Sequence, residues 1–92
     1  MHNDLRKSAP VDPGRLLAEA LRQARREAGL TQTAMARALG ISQPTLNRLE
    51  NASQNATLRT LKQLGRAFKC EPGDLFRPGR LRAPRGGRSR LE

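Results

Sequence analysis

Residues 31–51 read TQTAMARALGISQPTLNRLEN, and the order of caps, glycine and apolar positions in this stretch decides the fold. Thr31 is placed to cap a helix over Gln32–Leu39, its hydroxyl taking one of the backbone N–H groups that a helix start leaves unpaired. Met35, Ala36 and Leu39 then fall on one inward face. Gly40-Ile41-Ser42 is the turn: glycine supplies the positive backbone angle, Ile41 plugs the corner and Ser42 caps the next helix, Gln43 to about Asn51. Pro44 sits in the first turn of that helix, where its missing N–H is no loss. Only Leu46 and Leu49 form an apolar edge, so the faces holding Gln43, Thr45, Asn47, Arg48 and Asn51 are expected to stand free. Two short helices at a steep angle, the second with a polar or basic outer face, suit a DNA groove.

The flanks supply a core for this pair. Asp12-Pro13 starts a helix through Ala28, with Leu17, Leu21, Ala24 and Ala28 as its apolar stripe and Gly29 as a left-handed stop. After the polar loop Ala52–Ala56, Thr57 caps a helix whose stripe is Leu58, Leu61, Leu64, Ala67 and Phe68. Gly65 lies inside it, which points to close packing or to tolerance of an ordinary propensity cost. Pro72 opens a final short helix whose Leu75 and Phe76 close the core. From Arg77 onward the sequence is Pro, Gly and Arg with two isolated leucines, too little apolar surface to offset the entropy of ordering. The expected organisation is therefore all-α: a flexible arm at 1–12, a compact five-helix domain at 13–76 with its helix-turn-helix at 32–51, and a disordered basic tail at 77–92.

Charge and composition narrow the function. The 92 residues hold 18 Lys and Arg against 8 Asp and Glu, a formal net charge of +10, which asks for a polyanionic partner. Residues 15–76 contribute ten basic and five acidic groups, and residues 77–92 six arginines against Glu92, so folded part and tail share the excess. Two phenylalanines are the only aromatics, leaving no stacking platform for single strands and favouring duplex DNA read by helix insertion. A lone cysteine, Cys70, forms no internal disulfide, and no apolar run approaches a membrane span or a signal-peptide core, so a soluble cytoplasmic, nucleoid-associated protein is expected. With one histidine, His2, in the arm there is no catalytic triad, no metal-ligand spacing and no phosphate-cradling glycine loop. An enzyme is excluded on these grounds, and neither cofactor nor metal is expected.

At this point the residues resemble a known family. Gly29-Leu30-Thr31-Gln32, Leu39-Gly40-Ile41-Ser42-Gln43, Leu49-Glu50-Asn51 and Pro72-Gly73-Asp74-Leu75-Phe76 look like the lambda-repressor-like domain of the Cro/cI (Xre) helix-turn-helix regulators, over roughly residues 15–76. The resemblance implies that Gln43 reads a base and braces Gln32, and that Pro44, Asn47 and Arg48 occupy the family's variable base-reading positions. An amide suits adenine N6/N7, a guanidinium suits guanine O6/N7 and a proline ring can touch a thymine methyl. It further implies phosphate contacts from Gln32, Ser42, Thr45, Asn51, Ser53, Asn55, Thr57 and Arg59, which position without specifying sequence. Arg25 and Glu50 match a structural salt bridge between the first and third helices. Because the loop from Asn51 to Thr57 has no Lys or Arg, unlike that of many relatives, phosphate affinity is expected to lean on Arg59, Arg22 and the tail.

Two functions follow from the resemblance. The first is a sequence-specific regulator, most often a repressor, bound as a homodimer to a palindromic operator. The second is a HipB-type antitoxin that also binds a toxin protein, since Glu50–Leu58 looks like the corresponding antitoxin loop while Pro72–Phe76 is repressor-like. A third, weaker reading is a nucleoid-associated or RNA-associated protein acting mainly through the tail. An exposed Leu75 or Leu81 would be the place to look for self-association. Cys70 is expected to be a small core residue rather than a redox centre, and His2 not to be a ligand.

Overall fold

The structure is a computed structural model that describes residues 12–53 and 55–84; the expectations for the arm and for the last eight residues lie outside them. Every regular element among the described residues is helical: α1 (Pro13–Ala28), α2 (Gln32–Leu39), α3 (Gln43–Glu50), α4 (Leu58–Phe68) and a 3-10 helix (Pro72–Phe76). The fifth expected helix is thus a 3-10 helix. Five residues beginning Pro-Gly are too few to establish the wider α ladder.

Local chemistry sets the boundaries. Asp12 accepts from the Gly14 N–H, Thr31 from that of Ala34, Ser42 from that of Thr45 and Thr57 from that of Thr60, so each α-helix starts on a side-chain cap. Gly29 (φ 69°) and Gly40 (φ 75°) end α1 and α2 in the left-handed region. Beyond them the Leu30 N–H returns to the Arg25 carbonyl (3.1 Å) and that of Ile41 to Ala36 (3.0 Å).

Leu17, Leu21 and Ala24 of α1 meet Met35, Ala36 and Leu39 of α2, Leu46 and Leu49 of α3, Leu64 and Phe68 of α4, and Leu75 in one buried cluster. Three expectations are corrected. Ala28 is exposed, while Ala18 and Ala20 are buried in its place. Leu58 is 81% exposed. Ala56, just before the Thr57 cap, and Leu61, four positions after it, pack on the core as a hydrophobic staple and leave the first helical position outside. The segment after Arg77 does not stand off as a whole: Leu81 is 2% exposed and belongs to the core cluster, and Ala83 packs against it. With Leu75 at 0% exposure, neither leucine offered for self-association is accessible.

Two glycines respond oppositely to alanine. At Gly65 a Cβ would lie 3.4 Å from the Cys70 carbonyl oxygen, ordinary contact, so Gly65→Ala is expected to raise unfolding free energy by about 0.5–1 kcal/mol. At Gly40 a Cβ would come within 2.8 Å of Gln63 Nε2, which donates to the carbonyls of Leu39 (3.3 Å) and Gly40 (2.6 Å). Gly40→Ala therefore pairs left-handed strain with loss of those bonds, and a cost of about 2 kcal/mol or more is expected in urea denaturation.

Candidate nucleic-acid interface

The outer side of the helix-turn-helix is organised from a buried charge outward. Glu50, in the last turn of α3, is 1% exposed, and its carboxylate is held in a fork by Arg25 of α1: Nε to Oε2 at 2.8 Å and Nη2 to Oε1 at 3.0 Å. Arg25 also donates to the Leu30 carbonyl (3.2 Å), tying the α1–α2 turn to the same group. This is the expected salt bridge, with its carboxylate shut away from water. Arg22 donates to the Glu50 backbone oxygen and so holds the end of α3 against α1. The sequence suggests Arg22 for phosphate affinity; a contact between residues 28 apart, made to a backbone carbonyl, leaves no local signature.

The carboxylate dictates the direction of a chain of amides. Glu50 only accepts, so Gln32 must present its amide nitrogen to it, Nε2 to Oε1 at 3.0 Å. The Gln32 oxygen then faces the other way and accepts from Gln43 Nε2 (2.7 Å) and Asn47 Nδ2 (3.2 Å). Asn47, turned with its nitrogen inward, accepts through Oδ1 from Asn51 Nδ2 (3.1 Å). Among the described residues Gln43 Oε1 and the second Gln43 amide hydrogen have no protein partner, so Gln43 shows solvent one acceptor and one donor in a fixed order. Polar networks of this kind, fully satisfied at their buried end, rigidify what they hold.

The remaining expected site residues lie around this chain. Pro44 and Arg48 are exposed on the same helix. Ser42 Oγ, besides capping α3, donates to Thr45 Oγ1 at 2.8 Å. Ser53 donates to the Arg48 carbonyl through its N–H (3.0 Å) and its hydroxyl (3.4 Å), closing a loop in which Ala52 takes φ 57°. Asn55 and Arg59 are exposed, and Thr57 shares its hydroxyl with Thr60 at 3.0 Å. The structure thus brings Gln32, Gln43, Asn47 and Asn51 together and leaves Ser53, Asn55, Thr57 and Arg59 in sequence beyond the end of α3. Gln63 is a contributor that sequence reasoning missed, because its bonds to Leu39 and Gly40 are also long-range bonds to backbone.

Cys70 is half-buried and packs against the core; burial raises its thiol pKa above the ordinary value, and the nearby Asp74 and Glu71 charges add to that. A thiol so placed is a small apolar group rather than a reactive one. Among the described residues no helix is long and apolar enough to cross a membrane.

A capped two-helix unit at a glycine turn, seated on α1 and α4 with an oriented polar second helix, defines a DNA-binding helix-turn-helix domain of the Cro/cI (Xre) kind. The chain belongs to the helix-turn-helix family HTH_3, which matches residues 21–75. Among solved structures it is similar to the restriction-modification controller protein C.AhdI from Aeromonas hydrophila, at 26% identity and a TM-score of 0.57, over 67% of this chain and 90% of that one. It is also similar to the clp gene regulator ClgR from C. glutamicum, at 25% identity and a TM-score of 0.57, over 73% and 86% of the two chains. No curated protein matches it significantly. The family and these neighbours make the protein a DNA-binding transcriptional regulator.

Proposed function

We propose that the protein is a sequence-specific repressor that binds a palindromic operator as a homodimer, its α3 helices entering successive major grooves. The observation that supports this best is the orientation of Gln43 by the Glu50–Gln32 chain, which leaves a donor and an acceptor in the order that an adenine edge requires. Arg48 and Pro44, exposed on the same helix, take the neighbouring bases. Asn47, engaged at both ends of its amide, has the smaller share of base reading and the larger share of bracing. Gln32, Ser42, Thr45, Asn51, Ser53, Asn55, Thr57 and Arg59 hold phosphates on either side. Half-sites one helical turn apart, about 34 Å, would match two copies of the domain.

Titrating a labelled operator and a random duplex between 50 and 200 mM salt tests the reading. Affinity should fall steeply with salt and favour the operator, and Gln43→Ala should relax the preference at one base pair by about 1–3 kcal/mol while barely changing binding to random duplex. An affinity indifferent to both salt and sequence would sink it. The antitoxin alternative keeps the same DNA face and adds a protein toxin; Leu58, 81% exposed at the end of the antitoxin-like segment, is the apolar residue that such a partner would cover. A stoichiometric protein co-purifying with the native chain, and lost with Leu58→Asp, would favour it.

A further inference from the structure

Helix α4 bears a row of cations for which neither the fold nor the recognition helix has a use. Arg59, Lys62, Arg66 and Lys69 follow one another at steps of three, four and three residues and are all exposed. The helical steps place Arg59, Lys62 and Arg66 on one face, turned away from Leu61, Leu64 and Phe68, which pack inward, and Lys69 follows them at the left-handed C-cap of α4. The α4 sequence LRTLKQLGRAF contains no acidic residue, and none of the four cations pairs with a described acid; the ion pairs among the described residues are Arg25–Glu50, Arg77–Asp74, Arg80–Asp74 and Arg82–Glu27. At about 1.5 Å of rise per residue the row is about 15 Å long, the length of about four base-pair steps of one DNA strand.

We infer that this ridge binds the sugar-phosphate backbone of duplex DNA flanking the recognised site, continuing outward the phosphate track in which Arg59 is already placed; the inference rests on the proposed DNA-binding function. Charge complementarity selects the occupant. The cores of protein–protein interfaces are apolar and depleted in charge, whereas among the described residues the one large apolar side chain standing exposed near this row is Leu58, at one end. A regular ribbon of negative charge matches four cations that pair with no described acid, over about 15 Å, without needing apolar burial. Glu71 and Asp74 line the same groove as Lys62, Arg66 and Lys69, so their charge keeps a polyanion on the crest of the ridge rather than in the groove.

The test compares the full-length chain with its Lys62→Gln/Arg66→Gln/Lys69→Gln variant, three exposed positions outside the base-reading set, with helix content and thermal unfolding checked first. Each lost phosphate contact lowers the slope of log affinity against log salt by about 0.9, so the triple variant should lose up to about 2.7. The wild type should then weaken about 40-fold more than the variant between 50 and 200 mM salt. The loss should appear on the selected operator flanked by ten base pairs on each side and vanish when the flanks are cut to one, with preference for the operator over random duplex retained. Lys62→Gln alone should remove about one contact, so the slope remains readable if the triple variant folds poorly. An unchanged slope on the long duplex overturns the ridge while leaving base reading by Gln43 intact. A wild type that binds no duplex overturns both readings, and loss of operator preference in Gln43→Ala with an unchanged slope isolates the recognition helix from the ridge.

Discussion

Arg25→Met is expected to destabilise the protein by about 3–5 kcal/mol, enough to leave much of a domain this small unfolded at ordinary temperatures. Among the described residues the guanidinium is the only cation on the carboxylate of Glu50, a residue 1% exposed, and its removal strands a buried charge with Gln32 Nε2 as the remaining side-chain donor. Methionine keeps much of the stem's packing, so the loss is electrostatic. In a domain of this length each kcal/mol moves the melting temperature by about 4–8 °C, and thermal unfolding should therefore fall by at least about 12 °C. A drop of less than about 4 °C would show that the pair is an ordinary surface salt bridge. Glu50→Gln separates charge from direction. An amide at position 50 donates as well as accepts, the order of the amide chain is no longer dictated, and operator preference should weaken more than stability does.

The second large effect is expected at Leu81→Ala. This leucine lies in a segment of Pro, Gly and Arg, yet it is 2% exposed and joins the core cluster, so truncation should cost about 2–5 kcal/mol. Its neighbour Arg82 reaches Glu27 at only 4.0 Å, with its side chain 77% exposed, and Arg82→Ala should change stability by less than about 0.5 kcal/mol. Urea denaturation of the two variants distinguishes a segment that closes the core from a solvated extension; equal, small effects would return residues 78–84 to the tail. With Leu81 in the core, removing this segment to probe DNA binding by the remaining arginines would confound charge with folding.

Much of the fold was legible in the sequence because its boundaries rest on local chemistry. Thr31, Ser42 and Thr57 each accept from the N–H three residues ahead, and Gly29 and Gly40 take the left-handed angle that their positions asked for. The misses are tertiary. Leu58 continues the apolar period of α4, but whether the first turn of a helix reaches the core depends on how the preceding chain arrives, and here Ala56 arrives first. Leu81 has no period at all, and its burial in the core cluster is decided by the tertiary packing alone. In the interface, the Arg25–Glu50 and Gln32–Gln43 pairs were legible through resemblance. The place of Asn47 and Asn51 at the end of the same chain was not: spacing puts them on one face with Gln43 but is silent about which way an amide turns. Arg22 and Gln63 bind backbone carbonyls, acceptors that every residue offers and that no motif marks.

The claim that α3 reads sequence through an oriented Gln43 is tested most directly by selecting bound DNA from random duplexes at a fixed salt concentration. Expected is a two-fold symmetric consensus whose half-site centres lie about 10 base pairs apart, bound at least about 1,000-fold more tightly than random duplex, with an adenine position that loses its preference when Gln43→Ala is carried through the same selection. Recovery of unenriched sequences, or of a consensus identical for wild type and Gln43→Ala, would contradict it.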